Sequence, residues 1–215
     1  MNRPPTPNSE TQRAATLAEI AFALLADRSG NEDSPEASWL AGHAAALAMS
    51  QGVGEPQAAV SAWNSSPPAV DRRLHALAVQ QRLGLAETLA LALAREAELL
   101  PMAARALIWL QHPVGEARPT VGLIASLCQR FGVPDALPAL ADGPARRHGL
   151  LQLQPDERPL CERSVRVALP LLFAIDGRDG HFDGVETDTA ALPPLPPSAV
   201  AEARRHAAGL IRDGV

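Results

Sequence analysis

The chain has 215 residues, 47% apolar but only 3% aromatic, and a net charge of −5. Its apolar mass is mostly Ala and Leu, both strong helix formers, so a mainly α protein is expected. The negative balance argues against a general binder of nucleic acid or anionic membrane. All 19 basic residues are Arg, which excludes a GxxxxGK[ST] phosphate loop and a Schiff-base Lys.

Residues 1–8 are Pro-rich and read as a disordered tail. Ser9 is placed to cap a helix running to about Asp27, with Leu17, Ile20, Leu24 and Leu25 on one face. Ser34-Pro35 supplies a cap and a first-turn proline for a helix carrying Trp39, Leu40, His43 and Leu47, ended by Gly52 and Gly54. A short helix from Pro56 to about Trp63 follows, and Ser-Ser-Pro-Pro at 65–68 breaks the chain. Val70, Leu74, Leu77 and Val79 predict a helix stopping at Gly84, and Leu85, Leu89 and Leu93 predict the next, over 85–99. Pro101 opens another, carrying Leu107, Ile108, Trp109 and Leu110, which His112-Pro113 closes.

Pro119 then starts a helix of Val121, Ile124, Leu127, Cys128 and Phe131, stopped by Gly132 and Pro134. A short acidic, Pro-bearing loop is expected next. Residues 149–153 alternate as a strand, 155–158 read as a turn, and 160–167 contain the return strand. Residues 168–175 are apolar and read as a helix, with Pro170 in its first turn. A polar, Gly-rich stretch follows, then LPPLPP at 192–197, an extended spacer, and an amphipathic helix over 198–212.

This order divides the chain into a helical N-terminal subdomain (9–68) and a helical, winged-helix-like subdomain with a small two-stranded β-wing (69–177). A Gly/Pro-rich linker (178–197) and a C-terminal helix (198–215) complete it. No apolar run is long enough for a membrane span and the first residues form no apolar leader, so the cytoplasm is the expected compartment.

The sequence shows no constellation for catalysis, and no cofactor is expected. Six histidines are scattered without HxxxH or HExxH spacing. Cys128 lies on an apolar helix face and Cys161 in the return strand, without CxxC spacing, so both read as buried, reduced thiols. In the loop DGRDGHFDGVE, Gly180 and Glu186 match EF-hand positions 6 and 12. Positions 1 and 3 would then be Ile175 and Gly177, which offer no side-chain oxygen, and the pattern fails. Asp176, Asp179, His181 and Asp183 remain as donors for a hard ion, against the plainer reading of a solvated loop.

A winged helix can read DNA through the helix before its wing. Here that helix is expected at 119–131, with Arg130 on it and Arg118 just ahead. Arg105, Arg146, Arg147, Arg158, Arg163 and Arg166 surround it, offset by Glu116, Asp135, Asp142, Asp156, Glu157 and Glu162. Phosphate contacts need a clustered basic face, so a stand-alone winged-helix DNA-binding regulator is the alternative reading.

Five runs carry a more specific signal: RLGLAETLALALAREAELLP (82–101), ARPTVGLIASL (117–127), RRHGLLQL (146–153), RPLCERSVRV (158–167) and ALPLLFAIDG (168–177). The segment from about Leu77 to Leu195 resembles the N-terminal helical plus winged-helix-like region of AAA+ ATPases associated with phage-tail-like contractile injection systems. Arg-Pro-Thr-Val and Arg-His-Gly-Leu-Leu are its most specific pieces. The family often has a Tyr-rich, charged helix before Arg-Pro-Thr-Val, where this chain has PMAARALIWLQHP. The resemblance implies a non-catalytic accessory region that recognises a partner or substrate protein or regulates the motor, with the ATPase core beyond a helix like 198–212. The partner is expected among the injection-system components or the ATPase core itself. Trp109, Arg118, Arg146 and Arg147 are the candidate anchors, because they flank the entries to the unit's helix and strand and because Trp and Arg dominate binding hot spots.

Overall fold

The structure, a computed structural model, describes residues 14–28, 33–51, 56–155, 157–178 and 198. The expected Ser9 cap, Gly52 and Gly54, the linker beyond 178, the LPPLPP spacer and the body of the last helix lie outside these residues. The protein is mainly α, with one small two-stranded antiparallel sheet. In chain order the helices are α1 (Leu17–Leu25), α2 (Pro35–Gln51), α3 (Pro56–Ser65), α4 (Arg72–Gln80), α5 (Leu85–Leu99), α6 (Pro101–Leu110), α7 (Val121–Arg130), α8 (Ala136–Asp142) and α9 (Pro144–Arg147). The strands β1 (Gln152–Leu153) and β2 (Val165–Arg166) follow, then α10 (Leu169–Asp176).

Two helices form the centre. Every α5 residue from Ala86 to Arg95 is buried, and so are all of α1 except Glu19. A helix apolar on all sides belongs inside. Accordingly α2, α3 and α7 pack on α1, while α4, α6, α7, α8 and β2 pack on α5. Leu89, Leu91 and Leu93 are fully buried, and each contributes about 2 kcal/mol by leaving water.

Local signals set most helix starts. Pro101 and Pro170 stand in first turns, where the missing N–H costs nothing. Ser34 Oγ accepts from Ala37 N at 3.1 Å. α1 begins at Thr16: its hydroxyl accepts from Glu19 N at 3.1 Å, and Glu19 accepts back from Thr16 N at 2.8 Å. This capping box starts the helix, and residues 14–16 ahead of Leu17 are not helical. Val70 and Val79 do not share the buried face of α4. Val70 lies in the 3-10 turn before it, both are exposed, and Leu74 and Ala78 face the core.

The loop expected between 133 and 145 is instead α8 and α9. Pro138 falls in the first turn of α8, where it is tolerated. The helices leading into the hairpin are therefore α8 and α9, not the 119–131 helix. The hairpin pairs Gln152 with Arg166 and Leu153 with Val165. Thr120 bridges Ser164 on the far side of β2, where Val165 N donates to Pro119 O at 2.9 Å and Val121 N to Arg163 O at 3.0 Å. Two-residue strands thus gain a third short neighbour.

The break at 66–68 does not separate two cores. One cluster of buried side chains runs from Leu17 and Trp63 through Leu74 to Val165 and Ile175, and the described residues between 14 and 178 fall in one compact unit. A polar clasp crosses the break. Asp71, fully buried, accepts from Leu17 N, Trp63 Nε1 and Arg95, each at 2.8 Å. Leu17 N is one of the donors that α1 leaves without an intrahelical partner, so Asp71 caps that helix from 54 residues away. Arg95, itself 2% exposed, also reaches Glu96 at 2.9 Å. Burial raises the Glu96 pKa above the usual carboxylate range, despite the adjacent guanidinium.

Candidate functional site

α6 has two faces. Ala103, Ala106 and Leu107 are buried against the core. Arg105, Ile108, Trp109 and, just past the last turn, His112 recur at i, i+3, i+4 and i+7, so they share another side. They meet Arg28, at the end of the 3-10 turn after α1, and Glu36, in the first turn of α2. With Leu110 these residues line an open groove of about 680 Å³. A hollow of about 260 Å³ shares Arg28 and Leu110 with it and extends to Thr120, Gly122 and Ser126.

The groove combines apolar wall and cationic rim. Ile108 is 41% exposed, and Trp109 is half-buried with one side on the core. Arg105 holds Glu36 at 2.6 Å through one nitrogen of a largely exposed guanidinium. Arg28 is exposed and makes no ion pair among the described residues. Asp27 beside it is taken by Arg130 at 2.6 Å, and Arg130 also donates to Leu24 O.

Of the four expected anchors, Trp109 alone lines this groove. Arg118 donates to Glu98 Oε1 through Nε at 2.8 Å and through a terminal nitrogen at 2.6 Å. It fastens the 111–120 loop to the end of α5. Gln111 fixes the same loop, donating to Glu116 O and Arg118 O at 2.8 and 3.0 Å and accepting from Thr120 N at 2.7 Å. Arg-Pro-Thr-Val therefore serves the fold. Arg118 pins the loop, Pro119 pairs with β2, and Thr120 caps α7 through Leu123 N at 3.3 Å.

Arg146 and Arg147 sit side by side on α9. Arg147 pairs with Asp142 at 2.8 Å on the surface, and this contact lowers the Asp142 pKa. Arg146 is half-buried and forms no ion pair among the described residues. Glu87 sets the position of both. This buried carboxylate accepts from Gly84 N at 2.9 Å, capping α5, and from Ala145 N at 2.6 Å, capping α9. Gly84-x-x-Glu87 is legible as a capping signal, but the second bond has no local sequence signature.

Two of the three hairpin arginines are committed to structure, while Arg166 on β2 is exposed. Arg158 pairs with Glu116 at 2.6 Å, and Arg163 donates to Arg158 O at 2.8 Å. Cys161 is exposed in the 3-10 turn Leu160–Glu162 rather than in a strand. Cys128 is buried, which pushes its pKa up to about 11. Of the expected ion donors only Asp176 is described, paired with Arg178 at 2.7 Å; Asp179, His181 and Asp183 lie outside the described residues. Among those residues, no three His, Cys, Asp or Glu side chains converge as metal ligands would. None of their helices is long and apolar enough to cross a membrane.

The groove residues beyond Trp109 escaped the sequence reading. The spacing of Arg105, Ile108, Trp109 and His112 was an available signal, but Arg28 and Glu36 come from other helices. No protein-family model, curated protein or solved structure matches the chain.

Proposed function

We propose that this chain is a non-catalytic accessory region of an AAA+ ATPase of a contractile injection system, acting by recognising a partner protein. The observation that carries the reading is the order α6, Thr120 edge, α7, α8–α9, β1–β2. That is the order of a winged helix, and it falls on the runs whose sequence resembles that family. The groove over α6 supports recognition: it offers a half-buried Trp, an exposed Ile and two arginines, residue types suited to interface anchors.

DNA reading gains no support. The helices before the hairpin, α8 and α9, are short, α8 ends in Asp142, and of the arginines around them Arg147, Arg158 and Arg163 are already engaged within the protein.

Two measurements test the proposal. Sequencing the reading frame beyond the Val215 codon should find a GxxxxGK[ST] motif soon after it. The isolated chain should show no Mg²⁺-dependent ATP hydrolysis. Turnover by the chain alone that chelation of Mg²⁺ abolishes, or a salt-sensitive shift with duplex DNA, would overturn it.

A further inference from the structure

We infer that the groove over α6 takes an acidic, apolar-centred segment of a partner protein. Its apolar side chain sits against Ile108 and Trp109, and its carboxylates sit on Arg28 and Arg105. This inference rests on the recognition reading above and adds the chemistry of the occupant.

Three observations converge on that chemistry. The first is charge complementarity. The chain carries −5 overall, yet among the described residues the groove is lined by Arg28 and Arg105 against a single carboxylate, Glu36. Glu36 is largely covered and engages only one nitrogen of Arg105. A guanidinium carries five N–H donors in a fork, so Arg105 retains donors for a second carboxylate. Arg28 has no described ion-pair partner, and arginine is the side chain best shaped to hold a carboxylate on two parallel bonds.

The second is the apolar wall. Ile108 is 41% exposed on a helix whose other face is core, and Trp109 lies beside it. A purely ionic occupant would leave that surface wet, whereas a segment with one large apolar residue covers it.

The third is extent. The groove and the hollow beyond it share Arg28 and Leu110 as common walls. They run from Glu36 on α2 to Ser126 on α7, which suits a length of polypeptide better than a compact metabolite.

The experiment is a selection of displayed short random peptides on the full chain, with counter-selection on an Arg28→Glu/Ile108→Asp variant. Both altered side chains are exposed or partly so, and circular dichroism verifies the variant's fold. The expected peptides carry two or more Asp or Glu residues around a Leu, Phe or Trp. By fluorescence anisotropy they should bind Arg28→Glu and Arg105→Glu, tested singly, about tenfold more weakly. Lys-for-Glu peptides should lose about as much.

Enrichment of basic peptides, no enrichment over the variant, or affinity unchanged by Ile108→Asp would each overturn the inference. So would polyglutamate or duplex DNA competing as well as the selected peptide, since charge alone would then suffice. Failure of the functional reading is distinguishable, because it shows as ATP turnover by the chain or as a reading frame without the phosphate loop.

Discussion

Asp71→Ala removes three hydrogen bonds with one substitution. Leu17 N, Trp63 Nε1 and Arg95 each lose an acceptor 2.8 Å away. Asp71 is fully buried and Arg95 nearly so, so water does not stand in for the carboxylate. Breaking a buried ion pair from one side costs about 3–5 kcal/mol, and a buried donor left bare costs about 1–3 kcal/mol. Arg95 keeps Glu96 at 2.9 Å, which retains part of the first amount, and losses that share one carboxylate are not additive. A net loss of about 4 kcal/mol follows, against a typical total stability of about 5–15 kcal/mol. For a domain of this size each kcal/mol moves Tm by about 2–4 °C, so thermal unfolding followed by circular dichroism should fall by about 8–16 °C.

A fall of less than about 3 °C would refute the assignment of this clasp as a main tie between α1, α3 and α5. A second variant isolates the stranded charge. Asp71→Leu/Arg95→Met/Glu96→Gln removes the ion pair together with the Glu96 charge that shares Arg95 and leaves the Leu17 and Trp63 donors bare, so it should recover part of the lost Tm. No recovery would mean that the ion pair is not the source of the cost.

Gly143 and Gly149 make a paired test by urea midpoint. A Cβ on Gly143 would stand 2.2 Å from Ala139 O and 2.6 Å from Glu87 Oε1, so Gly143→Ala should cost about 3 kcal/mol. Gly149 has open space around it but a φ of +69°, so Gly149→Ala should cost only about 1 kcal/mol; the reverse order would contradict the packing at α9. Thiol titration with a chromogenic disulfide should count one fast cysteine, Cys161, in the folded protein and two in denaturant; rapid labelling of Cys128 in the native state would contradict its burial. His43 sits against Trp39 and Phe22, with ring centroids 4.4 and 5.8 Å away. Burial there holds its pKa below the ordinary value of 6.5, although Glu19 pulls the other way. The unfolded chain therefore binds the proton more readily, and stability is lost as pH falls through 6.5 toward the folded-state value. Denaturation at pH above and below that window should show a smaller acid loss in His43→Gln than in the parent; equal losses would clear His43 of the effect.

Where information is local, the amino-acid order reads directly into structure. Pro35, Pro101 and Pro170 start their helices because a first turn needs no N–H from them. The Leu85–Leu99 helix is bounded as its leucine spacing predicts, and the hairpin falls where alternation and a polar turn place it. Trp109 is named by the sequence as a candidate anchor, yet the residues that line the groove with it are not, since Arg28 and Glu36 reach it only when α2 and the turn after α1 fold beside α6. The same holds for Asp71, Glu87 and Arg95. In sequence they are ordinary charges on helices or turns. Packing buries them, and a buried charge is tolerable only with partners: an amide from Leu17, an amide from Ala145, a carboxylate from Asp71. Those partners lie 54, 58 and 24 residues away along the chain, beyond any periodicity or spacing rule, and only the close approach of the helices supplies them.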